Sequence, residues 1–236
     1  TNPYLHFIDL HDVVEIARKN DILVVADSTF ATPCNLQPLE IGVDLVIHSA
    51  TKYLGGHNDL IAGVLAGPEE LVQPVTEMLM TLGGICDPNT AFLLSRGLKT
   101  LGVRVATQNA NGQKVAEFLE QHPRVQRVYY PGLESHPSHD LAKDLMSGFG
   151  GVVTFLIDGS FDDTAKFIDN LRIPKIAPSL GGVESLVEQV AIMSFWNLPR
   201  AQREALGIPD NRVRLAAGIE EAEDLIADLD QALKVG

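Results

Sequence analysis

The stretch HSATKYLGGHND, residues 48–59, carries one lysine, Lys52, behind two hydroxyl side chains and ahead of Gly55 and Gly56. The residues leading into it, DLVIH (44–48), read as a buried strand. Lysine is seldom placed at the end of such a strand without a partner. Upstream, the apolar run ILVVA (22–26) reads as a second strand and ends at Asp27. Asp27 and the group Ser49, Thr51 and Lys52 therefore lie at the C-terminal ends of two predicted strands. Open α/β sheets bind their ligands in the crevice beyond those ends.

A lysine amine, a carboxylate and hydroxyl donors together suit an aromatic aldehyde that carries a phosphate. Pyridoxal phosphate needs an amine to hold its aldehyde, a carboxylate to keep its ring nitrogen protonated and donors for its phosphate. Ser49 and Thr51 can supply such donors, and Gly55 and Gly56 let the backbone turn sharply beside the lysine. On spacing alone a plainer reading stands beside this one and is favoured: Lys52 as a solvated loop lysine, Asp27 as a helix or turn cap.

The surrounding pattern predicts the elements that position these residues. Asp9 to Asn20 has helical spacing after an Asp start, and LIAGVLAG (60–67) is a third strand. Apolar strands alternating with helices predict a largely parallel α/β sheet. Helix is predicted from Pro68 to Leu82, and a longer helical tract, broken once, from Asn89 to Gln121. After that come strands at VQRVYYPG (125–132), GGVVTFLID (150–158) and VRLAAG (213–218). Helices are expected at DDTAKFIDNLR (162–172) and over the terminal EEAEDLIADLDQALK (220–234). The change of rhythm predicts a smaller α+β unit, with the boundary inside the long helical tract: residues 1–107 and 108–236.

The 236 residues are 45% hydrophobic, enough for a substantial core, and the net charge of −13 argues against nucleic acid and anionic membrane partners. No apolar run approaches the ~18–20 residues of a membrane span. Two cysteines, Cys34 and Cys86, cannot form a disulfide framework, which favours a reducing compartment and structural thiols. The expected location is the cytoplasm, or the plastid stroma for a plant source. No signal-peptide pattern opens the sequence, and TNPYLHFIDL reads like the middle of a domain, so an N-terminal portion is expected to be missing. His136 and His139 have a spacing that could ligate metal, but no further cluster completes a site, and a polar surface loop is the better reading; no metal is expected. His57 is expected to be loop scaffolding, and the acidic run EEAED a solvated first helical turn.

Longer motifs go further. DSTFATP (27–33) followed by GVDLVIHSATKYLGGHND (42–59) resembles the cofactor-lysine region of the cystathionine synthase and lyase family, the Cys/Met-metabolism pyridoxal phosphate enzymes. RGLKTL (96–101), YYPGL (129–133), GFGGVVTF (148–155), SLGGVESL (179–186) and VRLAAGIEEAEDLIADL (213–229) have counterparts there in the same order, so the resemblance covers essentially the whole chain. It implies the fold type I, aspartate aminotransferase-like α/β architecture. Residues 1–107 would be the C-terminal portion of the large, mainly parallel cofactor-binding domain and 108–236 the small α+β domain. It implies that Lys52 holds the cofactor as an imine and acts in catalysis, that Asp27 pairs with the ring nitrogen, and that Ser49 and Thr51 bind the phosphate. Asn2 would sit near the cofactor's phenolic oxygen and the substrate carboxylate, Arg214 would clamp that carboxylate, and Ser185 would help through its backbone. The family's glycine-rich phosphate cradle, its ring-stacking tyrosine and the tyrosine and arginine lent by a neighbouring subunit have no counterpart in these residues. A homotetramer built as a dimer of dimers is implied.

The tail IAPSLGGVESLVEQVAIMSFWNLP and the segment GIPDNRVR look most like plant-type and related cystathionine γ-synthases. The H-P-A-x-M-T-H pattern of many lyases and sulfhydrylases is replaced by QVAIMSF, residues 189–195. The resemblance thus implies γ-replacement on an O-activated homoserine by cysteine, giving cystathionine. The alternatives are a cystathionine γ-lyase, an O-acetylhomoserine sulfhydrylase, a methionine γ-lyase, or a truncated relative kept as an assembly module.

Overall fold

The computed structural model describes residues 1–235. Helix α1 (Leu10–Lys19) starts where Asp9 accepts the backbone N–H groups of His11 and Asp12, the bonds a helix start otherwise lacks, and it turns Val14 and Ala17 inward. Strand β1 (Val25–Asp27), the one-turn helices α2 (Thr32–Asn35) and α3 (Pro38–Ile41), and strands β2 (Leu45–Ser49) and β3 (Gly63–Ala66) follow. Strands β1 and β2 pair in parallel, as the alternating pattern predicts. Strand β3 pairs antiparallel with β2, so this sheet is mixed rather than largely parallel over the described residues. The reason is local: residues 50–62 contain no helix, and a parallel return needs a crossover that a helix usually carries.

Helices α4 (Glu69–Leu82), α5 (Pro88–Leu98) and α6 (Leu101–Gln121) come next, and the long helical tract breaks once, at Lys99 and Thr100. Helix α6 serves two cores. Its Leu101 and Val105 join a cluster with Ala50, Tyr53 and Leu54 of the chain after β2, whereas Val115, Ala116 and Leu119 join Phe155, Val213 and Leu215.

The second half contains β4 (Val125–Tyr129), α7 (His139–Leu145), β5 (Val152–Ile157), α8 (Phe161–Asp169), β6 (Lys175–Ile176), β7 (Leu186–Gln189), α9 (Val190–Met193), α10 (Arg200–Ala205), β8 (Arg212–Ala216) and α11 (Ala222–Leu233). Its five strands run in the order β4-β5-β8-β7-β6, antiparallel except for β6 with β7. Helix α8 starts with a reciprocal cap: Ser160 accepts from the Asp163 N–H, and Asp163 accepts from the Ser160 N–H. The elements that pattern reading missed are the short ones. Strand β7 (LVEQ) carries Glu188 and Gln189 although all four of its residues are buried, so neither alternation nor an apolar run marks it. No helix among the described residues is long and apolar enough to cross a membrane.

Candidate active site

The loop after β2 holds Lys52 rigidly. The Lys52 N–H bonds Ser49 O at 3.1 Å, Gly55 N–H bonds Ala50 O at 2.8 Å, and Gly56 N–H bonds Lys52 O at 2.7 Å. Gly56 takes φ +74°, which a side chain would strain. Beneath the loop lies Arg104, which is buried; it donates to Tyr53 O and Gly97 O, both at 2.8 Å, and to Thr100 Oγ1 at 3.1 Å. Gly97 meets the loop directly, since a Cβ there would lie 2.3 Å from Gly55 O and 2.8 Å from Leu54 O. The RGLKTL motif is therefore the brace under the lysine. Gly97→Ala is expected to cost about 1–3 kcal/mol, because the clash is with backbone that cannot rotate away. Denaturant unfolding measures it, and a midpoint equal to that of the parent chain would refute the brace.

The Lys52 amine donates to Ser179 Oγ at 2.7 Å. Burial, reinforced by the nearby Arg214 charge, holds that amine below its ordinary pKa, which eases access to the neutral form. Next to it the Tyr53 phenol accepts the Gly151 N–H at 3.3 Å, and burial pushes its pKa up to about 12, so it stays neutral.

Asp27, exposed at the end of β1, accepts the Thr29 N–H at 2.9 Å and the Thr29 hydroxyl at 2.6 Å, both on Oδ1. The Thr29 oxygen in turn accepts the Ser49 N–H at 2.8 Å. Thr29 thus ties the ends of β1 and β2 together, a role the sequence reading did not assign. Beside it, burial lowers the His48 pKa, partly opposed by the Asp27 charge. Ser49 and Thr51 differ. The Thr51 hydroxyl accepts the Ala62 N–H at 3.0 Å and lies 3.4 Å from Ala62 O, so here it ties the lysine loop to the chain entering β3.

Across from the lysine, Arg214 on β8 stands in register with Glu188 on β7. Its Nη2 lies 2.9 Å from Glu188 Oε1 and donates to Pro178 O at 2.6 Å, while Nη1 donates to Asn2 Oδ1 at 3.3 Å. Both ionic side chains are buried. Burial raises the Glu188 pKa and lowers that of Arg214, each opposed by the partner's charge. The Ser194 hydroxyl lies within 3.0 Å of both Glu188 oxygens.

Ser185, from which the resemblance implies a backbone contact to the substrate carboxylate, has partners within the protein. Ser185 is fully buried; its N–H and hydroxyl donate to Glu220 at 2.7 and 2.8 Å, and its oxygen accepts the Gly218 N–H at 2.8 Å. Those bonds commit it to the turn before α11. The serine that meets Lys52 is Ser179, at the start of the same SLGG segment. The acidic run is corrected at one position by the same contact, because Glu220 precedes the helix and is an acceptor for Ser185. His136 is also not on a surface loop: it is 3% exposed and its Nε2 bonds Tyr4 O at 3.0 Å. His139 Nδ1 bonds Pro131 O at 2.9 Å, and no metal-holding group of three or more His, Cys, Asp or Glu occurs among the described residues. His57 bonds Gly55 O at 2.8 Å within the loop. Cys34 and Cys86 are exposed rather than packed.

An amine of lowered basicity, a carboxylate at the neighbouring strand end and the Ser49 hydroxyl form a donor set that fits pyridoxal phosphate. The fold and this set of groups define a domain of the pyridoxal phosphate-dependent class of enzymes. The model of the Cys/Met metabolism PLP-dependent enzyme family matches residues 1–234, and the chain belongs to that family. It is 53% identical over 234 residues to cystathionine gamma-synthase 1, chloroplastic, of Arabidopsis thaliana, covering 99% of this chain and 42% of the relative. It is 44% identical over 237 residues to a cystathionine beta-lyase of Lactococcus lactis, covering 99% of this chain and 62% of that protein. The solved structure of cystathionine gamma synthase from Xanthomonas oryzae pv. oryzae in complex with aminoacrylate and cysteine superposes with a TM-score of 0.95 at 42% identity, over 99% of this chain and 61% of that one. The chain thus spans between 42% and 62% of the length of these relatives.

Proposed function

We propose that these residues carry the lysine half of an active site for γ-replacement, in which an O-activated homoserine and cysteine yield cystathionine. The observation that supports this reading most directly is the Lys52 amine, half-buried, lowered in pKa and facing Ser179, with Arg214 across from it. The choice of γ-replacement leans on the relatives: two plant synthases are 53% and 52% identical to this chain, and a second Xanthomonas oryzae synthase structure holds cystathionine. A γ-lyase or β-lyase is the second reading, favoured by relatives at 46% and 44% identity.

In this reading residues 1–107 belong to the large domain and 108–236 form the small one. Lys52 holds the cofactor aldehyde, Asp27 its ring nitrogen, and Ser49, with Thr51 turned from Ala62, its phosphate. Bound there, pyridoxal phosphate supplies an electron sink for carbanion chemistry. Arg214 and Asn2 grip the substrate carboxylate, and an arginine suits this because its planar fork pairs bidentately. With substrate bound, Lys52 would move protons at Cα and Cβ, which requires its neutral form. The net change would be replacement of the leaving group on Cγ by the sulfur of cysteine. We place the assembly as a homotetramer in a reducing compartment, the cytoplasm or the plastid stroma.

Asp27→Asn is expected to lower turnover by about 10²-fold or more, because an amide cannot keep the ring nitrogen charged. Stability should fall by only about 1 kcal/mol, the worth of the weakened Thr29 contacts. Steady-state kinetics and thermal unfolding measure the two, and normal turnover would make Asp27 a turn cap. The reaction itself is tested with the full-length protein, cysteine and each O-activated homoserine in turn. Formation of cystathionine supports the proposal. Consumption of cystathionine without its formation supports the lyase reading, and a colourless protein inert in both assays supports an assembly module.

A further inference from the structure

Two arginines on β8, Arg212 and Arg214, sit two residues apart and so face the same side of the sheet. Two residues of the N-terminal segment, Asn2 and Tyr4, have the same spacing and meet them in the reverse order. Arg214 Nη1 reaches Asn2 Oδ1 at 3.3 Å, and the Arg212 guanidinium lies 4.1 Å from the centre of the Tyr4 ring. We propose that Tyr4 is a positioning residue: its ring, stacked on Arg212, sets the register of residues 1–8 along β8 and so delivers Asn2 to Arg214. The inference rests on the reading of Arg214 and Asn2 as the grip on the substrate carboxylate.

Arg212 is 1% exposed, and its Nε and Nη1 have no hydrogen-bond partner among the described residues. A buried cation left in that state is costly. What compensates it is aromatic: the Tyr4 face and the Tyr129 ring 5.3 Å away, with the two tyrosines packed edge to face. The Tyr4 phenol donates to Gly207 O, and the Tyr4 carbonyl accepts from His136 at 3.0 Å. Further along, the Phe7 N–H donates to Ser138 Oγ at 3.1 Å. Residues 4–7 are thus tied to the second domain at several points, whereas the side chain of Asn2 meets Arg214 through a single long bond. The position of Asn2 is inherited from Tyr4. Simple packing would place an aliphatic residue opposite Tyr4 with no orphaned donors.

The test uses the full-length enzyme loaded with cofactor. Tyr4→Ala is expected to raise KM for the amino-acid substrate about tenfold or more while leaving kcat within about threefold. Tyr4→Phe keeps the ring and is expected to stay within about twofold of the parent in both. Amide hydrogen exchange over residues 1–8 gives a second readout independent of activity: faster in Tyr4→Ala, unchanged in Tyr4→Phe. A folded Tyr4→Ala enzyme with parental KM and parental exchange overturns the proposal, as does a loss of thermal stability with KM unmoved. If Tyr4→Ala does not fold, Arg212→Lys, which keeps the charge but not the planar stack, must show the same KM rise. Asn2→Ala separates this inference from the reading beneath it. If Asn2→Ala raises KM and Tyr4→Ala does not, the register role fails alone. If Asn2→Ala leaves KM unchanged, the carboxylate reading fails, and the exchange rates then decide the role of Tyr4.

Discussion

Lys52→Ala is expected to abolish covalent retention of pyridoxal phosphate by the full-length protein and to cut turnover by about 10³-fold or more, since in the proposed reading the amine both holds the cofactor and moves protons. The expectation is strong because of where the residue sits. The loop that carries it is pinned by backbone bonds to Ser49, Ala50 and Gly56, and Arg104 braces it from below. No substitute is at hand: the next lysine along the chain, Lys99, is exposed at the end of α5. Borohydride reduction followed by peptide mass spectrometry should find the cofactor on the peptide containing Lys52. Label on another lysine would overturn the assignment.

Arg214→Lys is expected to raise KM for the amino acid by about 10- to 100-fold with kcat little changed, the pattern of an interaction that holds substrate and transition state alike. The geometry gives the reason. Nη2 is committed to Glu188 and Pro178 O, and Nη1 faces Asn2, so in the proposed reading one planar group serves the internal anion on one side and the substrate carboxylate on the other. A lysine ammonium is a point donor on a flexible stem and cannot span both. Substrate titration followed by absorbance, beside steady-state kinetics, measures the effect. Parental affinity in the variant would remove Arg214 from the clamp.

The residues that could be read in the sequence are those whose role follows from local pattern. The apolar runs before Asp27 and Lys52 mark strand ends, and a strand end of an α/β sheet faces the ligand crevice whatever the rest of the chain does. Local pattern placed Asp27 and Lys52 at strand ends, whereas the roles expected of them and of Arg214 came from the resemblance carried by the motifs around them. The mixed pairing of the first sheet was less so, because strand direction depends on the connection and not on the strand. Ser185 and Ser179 show the limit most plainly. Both belong to SLGGVESL, but only the fold shows that the first meets Glu220 while the second, 127 residues from Lys52 in sequence, meets its amine.

Thr29, Glu188, Tyr4 and Arg212 follow the same logic. Thr29 spans two strands, Glu188 pairs across β7 and β8, and Tyr4 stacks on an arginine near the opposite end of the chain. The class of fold and the two strand ends followed from the sequence, because hydrophobic period and side-chain type are local properties. Only the packed chain decided which polar groups meet, which arginine stacks on Tyr4 and which serine faces the lysine. A hydrogen bond or a cation on an aromatic face is decided by distances of a few ångströms between distant segments, and those distances exist only once the chain has packed.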